Sequence, residues 1–238
     1  MKQKDEIYKN KRQQITPFSF DQNTANVFDN MIRRSIPCYE ELQKIISSIT
    51  LKHYQPHTVI YDLGCSTGNT ILQLYQQAQT PLKIKAVDRS TAMIEIAKKK
   101  CSEHQDIEWI CSSLEEISFN NTSVILASYV LQFIPILKRK KLLKTMFDSL
   151  STQGILILSE KVSSPDPEIE KMITELYYDF KRQNNYSNLE IEQKEEALKN
   201  VLFLLSIEEY LEILKNLGFR TIQLIFKYLN FMSLIAIK

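Results

Sequence analysis

The chain has 238 residues, 44% of them hydrophobic, with 30 basic and 28 acidic side chains and a net charge of +2. Such a composition can bury one full domain core and excludes a disordered chain, while the charge balance argues neither for nor against nucleic acid. Four cysteines (Cys38, Cys65, Cys101, Cys111) form no CxxC pair and no zinc spacing, which excludes a disulfide framework and leaves no metal expected.

Met1-Lys-Gln-Lys-Asp-Glu carries no apolar signal core. The longest apolar-leaning run, Val124 to Leu137, is interrupted by Ser128, Gln132 and Pro135 and is too short to span a bilayer. A cytoplasmic protein with no membrane partner is the expectation. Residues 1 to about 20 are polar and are expected to be loosely ordered. From Asn23 to Ile46 the pattern is helical, with Val27, Phe28, Met31 and Ile32 on one face, and Pro37 breaks it before a second helix starts at Tyr39.

Strands and helices then alternate. The predicted strands are Thr58–Leu63, Leu82–Val87, Ile107–Cys111, Ser123–Val130 and Ile155–Glu160, the last opened by Gly154. Between them lie predicted helices Asn69–Gln77, Thr91–Ser102 and Leu137–Leu150. Apolar β-branched runs alternating with helices imply an α/β fold whose parallel sheet is covered on both faces. Residues Pro165 to Asn200 are charged and helix-forming, too long for a simple crossover, and read as a helical insertion or lid. A helix capped by Ser206, with Glu209 three residues on, runs to Leu217 and ends at Gly218. Two closing strands, Thr221–Leu229 and Phe231–Ile237, are separated by almost nothing and so form an antiparallel hairpin at the sheet edge. This order resembles the Rossmann-like class I methyltransferases, with seven mostly parallel strands, a C-terminal antiparallel hairpin and here a helical insertion after strand five. The expected organisation is a helical cap (1–50), the cofactor-binding core (51–162), the insertion (163–205) and the completion of the core (206–238).

The chain contains only four glycines, where an average composition would supply roughly sixteen. Two of them, Gly64 and Gly68, fall in one five-residue turn within Val59-Ile-Tyr-Asp-Leu-Gly-Cys-Ser-Thr-Gly-Asn-Thr70, an apolar strand running through the turn into a helix. A glycine there lets the backbone approach a ligand that a Cβ would strike. Asp88 ends the second strand 24 residues beyond Gly64, where an acid can accept the ribose hydroxyls of an adenosine. Ser90 can then cap the next helix. A pyrophosphate cofactor favours three glycines, but the middle position here is Ser66. S-adenosyl-L-methionine (SAM) carries an amino acid in place of the pyrophosphate, tolerates that serine, and offers an ammonium to Asp62. The turn therefore favours SAM.

More specific runs lie along nearly the whole chain. They are Phe20-Asp21, Val27-Phe28-x-x-Met31-Ile32-x-Arg34-Ser35-x-Pro37-x-Tyr39, Tyr61-Asp62-Leu63-Gly64-Cys65-Ser66, Leu131-Gln132-Phe133 and Leu158-Ser159-Glu160-Lys161. In the insertion stand Asp179-Phe180-Lys181-Arg182, Tyr186-Ser187 and Leu189-Glu190. On these residues the chain resembles the carboxy-SAM synthases of bacterial wobble-uridine tRNA modification, homodimers that convert SAM and prephenate into carboxy-SAM and phenylpyruvate. The resemblance implies cofactor contacts at Tyr39, Gly64, Cys65, Ser66 and Asp88, and a homodimer contact in the insertion. At three further cofactor positions the chain departs from the family: Arg89 replaces an asparagine, Ser113-Leu114 an aspartate-containing pair beside the adenine, and Ser128 an asparagine.

A fourth departure bears on the reaction. The family arginine that grips the extra carboxylate stands in Gln-Lys-Arg-x-x-Leu-x-Asn-Val, and this chain reads Gln193-Lys194-Glu195-Glu196-Ala197-Leu198-Lys199-Asn200-Val201. Losing one charge-assisted bond costs roughly 1.5–3 kcal/mol. A carboxylate near the same anion adds repulsion of roughly 4 kcal/mol per charge pair at about 4 Å in an effective dielectric near 20. The expectation is therefore a SAM-dependent methyltransferase acting on a small molecule, with Glu195 facing a cationic amine or guanidine and Tyr129 and Phe133 beside the substrate. No catalytic residue is named, since His53, His57 and His104 read as surface positions. The alternative is carboxy-SAM synthesis, with Arg182, Lys194 or Lys199 replacing the arginine. A SAM-binding protein without catalysis and an RNA methyltransferase stand further off. The RNA reading has only Lys138-Arg139-Lys140-Lys141 behind it, which reads as a solvated helix face, so nucleic acid is not expected as a direct substrate.

Overall fold

A computed structural model describes residues 4–238. Strands β1 (Val59–Leu63), β2 (Ile84–Asp88), β3 (Ile107–Cys111), β4 (Thr122–Ser128) and β5 (Leu150–Lys161) pair in parallel, while β6 (Thr221–Tyr228) and β7 (Phe231–Ile237) add as an antiparallel pair beside β5. The strand order is β3-β2-β1-β4-β5-β7-β6, the expected architecture. Ile60 and Tyr61 are both fully buried because both faces are covered. Ile60 packs with residues of α2 (Tyr39–His53) and α3 (Asn69–Gln77), and Tyr61 with residues of α5 (Ile136–Ser149) and α8 (Ile207–Leu217). The order reverses at β1 and β4, whose carboxyl ends leave the crevice where α/β folds bind ligands.

Helix boundaries follow local chemistry. Asp21 caps α1 (Gln22–Ser35), Ser90 caps α4 (Thr91–Lys100), and Ser206 with Glu209 forms the expected capping box of α8. The insertion comprises α6 (Pro167–Gln183) and α7 (Asn188–Leu198), the latter opened by a capping box of Ser187 and Glu190.

Three expectations need correction. The N-terminal segment, beyond residues 1–3 that lie outside the described residues, is not loose. Asp5, Tyr8 and Phe18 are buried, and the Gln193 side-chain amide donates to the carbonyls of Tyr8 and Asn10, both at 2.9 Å. Those partners are remote in sequence, so local polarity misrepresents the segment. Gly154 does not open β5, which starts at Leu150. It lies inside the strand at a register shift, where a Cβ would come within 2.9 Å of the Ser151 carbonyl oxygen. The run Lys138 to Lys141 is not a uniformly solvated face, because Arg139 is fully buried and donates to the Tyr210 hydroxyl and the carbonyls of Ile134 and Phe203.

The cap and the insertion are fastened together. Arg34 of α1 donates to the carbonyls of Asp5, Asn184 and Asn185 at 2.9, 2.8 and 2.7 Å. Among the described residues, no helix is long and apolar enough to cross a membrane.

Candidate active site

The turn after β1 is built from left-handed backbone at Gly64 (φ 69°), Ser66 (φ 48°) and Gly68 (φ 79°). The amides of Gly64 and Cys65 both donate to the Val87 carbonyl at 2.8 and 2.9 Å, tying the turn to the end of β2. Asp88 is oriented by two backbone donors, Ser66 N–H and Ser90 N–H, each at 2.9 Å. One bond to each carboxylate oxygen leaves lone pairs on both for ligand hydroxyls. Burial pushes the Asp88 carboxyl up, and the two amides pull it back down.

Several buried polar atoms around this turn have no hydrogen-bond partner among the described residues. Asp62 is 1% exposed with one carboxylate oxygen unbonded, and burial, then the nearby Asp88 charge, pushes its carboxyl up to about 7. Ser128 Oγ and Tyr129 Oη are likewise unbonded. Buried polar groups are nearly always satisfied in folded proteins, so these three suit a polar ligand such as an amino-acid-bearing nucleoside.

One cavity of about 870 Å³ runs past Ser128 and Tyr129. Tyr39, Gly64, Cys65, Ser66, Asp88, Arg89, Ser113, Leu114 and Ser128 line it, as do Tyr129, Phe133 and Glu195. Asp62 and Gly68 do not line it. Gly68 caps α3, and a Cβ there would lie 3.1 Å from Cys101 Sγ and 3.3 Å from Ala97 Cβ, so its glycine admits the close packing of α4. Gly64 has a second constraint besides a ligand: a Cβ would stand 2.7 Å from Val130 Cγ2. Phe133 packs edge-on against Phe20 at 5.1 Å, and Tyr129 against Phe231 at 6.0 Å. None of the three histidines lines the cavity.

The cavity wall also holds two residues that sequence reasoning missed, Lys161 at the end of β5 and Lys181 of α6, together with Lys194 of α7, one of the three expected substitutes for the family arginine. Lys181 and Lys194 are only 5% and 7% exposed, and Lys161 is partly buried. Lys161 and Lys181 place their ammonium groups 4.9 and 4.7 Å from the Tyr177 ring centroid. Lys194 donates to Ser35 Oγ at 3.2 Å and lies 5.6 Å from the Tyr186 ring. None of the three forms an ion pair with a described residue. Burial lowers all three pKa values: Lys194 falls to about 8, and Lys181 is pushed well below its usual range, with Lys194 and Lys161 adding repulsion. The other two expected substitutes fare differently: Arg182 is exposed and tied to Asp179 at 2.6 Å and Asn188 at 2.8 Å, while Lys199 is exposed beside Glu196. Glu195 is exposed at the rim next to the Tyr178 hydroxyl, whose pKa it helps to raise after burial. The available signal was positional, since Lys161 closes Leu158-Ser159-Glu160-Lys161 at a strand's carboxyl end and Lys181 stands in Asp179-Phe180-Lys181-Arg182.

Comparison with known proteins sharpens this picture. A family profile described as a methyltransferase domain matches residues 60–154. A carboxy-S-adenosyl-L-methionine synthase of Trichodesmium erythraeum is 40% identical over 240 residues, covering 99% of this chain and 94% of that protein. Proteins of the same name from Sulfurimonas denitrificans (40%) and a Helicobacter pylori strain (37%) each cover 93% of this chain and 94% of their own length. Among solved structures, a SAM-dependent methyltransferase-like protein of Methanococcus maripaludis superposes with a TM-score of 0.61 at 17% identity, covering 94% of this chain and 96% of that one. Human N-acetylserotonin methyltransferase in complex with SAM gives 0.59 at 15% identity, covering 91% and 55%. These structures establish the class I fold.

The synthase relatives overturn the expectation of methyl transfer to a cationic amine or guanidine. That expectation let one residue, Glu195, stand for the charge of the whole pocket. The structure puts Glu195 at the exposed rim and three lysines on the cavity wall, so the acid does not set the sign of the charge there.

Proposed function

The chain belongs to the carboxy-S-adenosyl-L-methionine synthase family of class I methyltransferases, and from that premise we propose that it makes carboxy-SAM from SAM and prephenate. The single observation that carries the reading is the lysine-lined wall of the cavity. Buried ammonium groups without carboxylate partners are costly, and they suit a site whose ligands bring negative charge. An amine acceptor would be repelled there, whereas a carboxylated sulfonium and a carboxylate donor would both be held.

SAM is the cofactor, and its sulfonium acidifies the methyl carbon to which the carboxyl group is added. In this reading Asp88 receives the ribose hydroxyls, Asp62, set behind the cavity wall, meets the methionyl ammonium through water, and Tyr39, Cys65, Ser66, Gly64 and Ser128 line the nucleoside and amino-acid path. Arg89, Ser113 and Leu114 flank the adenine. The overall balance is simple. Prephenate loses its ring carboxyl group and ring hydroxyl to become phenylpyruvate, and a carbon–carbon bond joins that carboxyl carbon to the methyl carbon. The displaced methyl proton leaves with the hydroxide as water. This balance requires no base from the protein, in keeping with a cavity lined by no histidine. The protein holds the two reactants in one enclosed space and keeps bulk water away from them.

The same reading takes the apolar face of α6 as the homodimer contact, because Ile169, Met172 and Leu176 are 42, 49 and 46% exposed at helical spacing. It places the protein in the cytoplasm, feeding a small molecule to tRNA wobble-uridine modification without itself binding the nucleic acid. Incubation with SAM and prephenate, followed by mass spectrometry, tests the function. A product heavier than SAM by one carbon dioxide is expected, with phenylpyruvate released in equal amount. Turnover of SAM to its demethylated form with an amine, and none of the heavier product, would overturn it.

A further inference from the structure

Of the three lysines on the cavity wall, Lys194 has its own local support. It donates to Ser35, and the Asp5 carboxylate holds its ammonium up against the effect of burial. The ammonium groups of Lys161 and Lys181 have no hydrogen bond and no ion pair among the described residues, only a shared aromatic ring. That ring is fixed from two sides: the Tyr177 hydroxyl donates to the Ser35 carbonyl at 3.0 Å, and Phe231 packs edge-on at 5.3 Å. A ring face attracts a cation but does not neutralise it. The nearest acids, Glu170 and Glu195, act on Lys161 only through space, as Glu195 does on Lys181. Two ammonium groups reaching one wall from β5 and α6, both partly or fully withdrawn from water, therefore lack paired counter-ions among the described residues.

We propose that Lys161 and Lys181, steadied by Tyr177, form a two-cation subsite that grips the second substrate through two carboxylates and so selects a dicarboxylic donor over a monocarboxylic one. The assignment rests on the carboxy-SAM synthase reading. A dianion satisfies both ammonium groups, whereas a monoanion leaves one of them buried and unpaired, which is the more expensive complex. It also gives a release mechanism. The donor enters with two carboxylates and its phenylpyruvate product leaves with one, so the subsite loses half its grip once the carboxyl group has moved. Tyr177 is a positioning residue in this scheme, since it acts through the lysines.

The test uses the full chain saturated with S-adenosylhomocysteine, titrated calorimetrically with prephenate and with phenylpyruvate, alongside turnover with SAM. The unaltered protein is expected to bind prephenate at least about tenfold tighter than phenylpyruvate. Lys161→Met and Lys181→Met should each raise the prephenate KM about 10–100-fold and erase the preference, with SAM affinity changed less than about threefold. Lys181→Arg, which keeps the charge, should retain most of the preference. Thermal unfolding supplies a readout that a structural lysine would move the other way: removing a desolvated ammonium should leave Tm unchanged or higher. Retention of the prephenate preference in both Met variants, or a parallel loss of SAM affinity and Tm, would overturn the subsite. The function and the subsite fail separately. Lysine-dependent prephenate binding without carboxy-SAM formation defeats the function alone, and carboxy-SAM formation indifferent to both lysines defeats the subsite alone.

Discussion

Substituting Gly64 by alanine separates two reasons for a glycine at the head of the cofactor turn. Its φ of 69° costs a residue with a Cβ about 1–2 kcal/mol. The added carbon would lie 2.7 Å from Val130 Cγ2 and 2.8 Å from Val130 Cβ, well inside van der Waals contact, and overpacking of that kind costs about 1–3 kcal/mol. Together the two effects amount to about 2–5 kcal/mol, which in a chain of this size lowers Tm by about 4–20 °C. The steric part is separable by double-mutant cycles. Val130→Ala removes only the Cγ contact and leaves the 2.8 Å approach, so its coupling to Gly64→Ala should be small. Val130→Gly removes both contacts and should give a coupling of about 1–3 kcal/mol, with the backbone cost remaining. Urea unfolding of the single and double variants, with and without SAM, measures all the terms. If Gly64→Ala leaves the ligand-free protein within about 2 °C and weakens only SAM binding, the steric argument is wrong and ligand approach alone explains the glycine.

Asp62, with its carboxyl near 7, should make SAM affinity rise with pH up to about 7 and level off above it; Asp62→Asn should flatten the profile in calorimetry, and a profile that persists would refute the pairing. Burial pushes the carboxyls of Asp62 and Glu160 (about 8) above their ordinary values of 3.8 and 4.5, so they stay protonated in the fold where the unfolded chain ionises them. Their contribution is full below about pH 4 and is lost as pH rises to about 8, so ligand-free Tm at pH 5 should exceed that at pH 8. Arg139→Met leaves two carbonyls and the Tyr210 hydroxyl without their donor, and should cost about 3 kcal/mol or more in urea unfolding. A loss below about 1 kcal/mol would show the buried guanidinium to be dispensable. Leu176→Asp should halve the mass seen by light scattering if the α6 face joins two copies; an unchanged dimer would place the contact elsewhere.

The legible parts of this molecule were those whose cause is local. The β1 strand, the turn at Gly64 and α3 announce themselves within a dozen residues, and Ser206 with Glu209 marks a helix start on its own. The lysine-lined cavity wall is different in kind. Lys161, Lys181 and Lys194 each sit where an isolated lysine looks solvated, and only the folding of α6 and α7 over the end of β5 brings them to one wall. Glu195 shows the same limit from the other side, because its identity was plain while its exposure was not. Arg139 was hidden by neighbours of like charge, and the burial of Asp5 and Tyr8 depends on partners near residue 190. Pocket charge is a sum over remote segments, and no single aligned position carries it.

The Arg34 clasp has a consequence for traffic. One guanidinium grips three carbonyl oxygens from stretches about 180 positions apart along the chain. Raising α6 and α7 as a slab would tear the Asn184 and Asn185 bonds loose together, leaving two acceptors stranded and the cation held by Asp5 alone. The doorway is therefore expected at the margin near Glu195 and Lys199, where pliant side chains, rather than main chain, need only step aside for a molecule to pass.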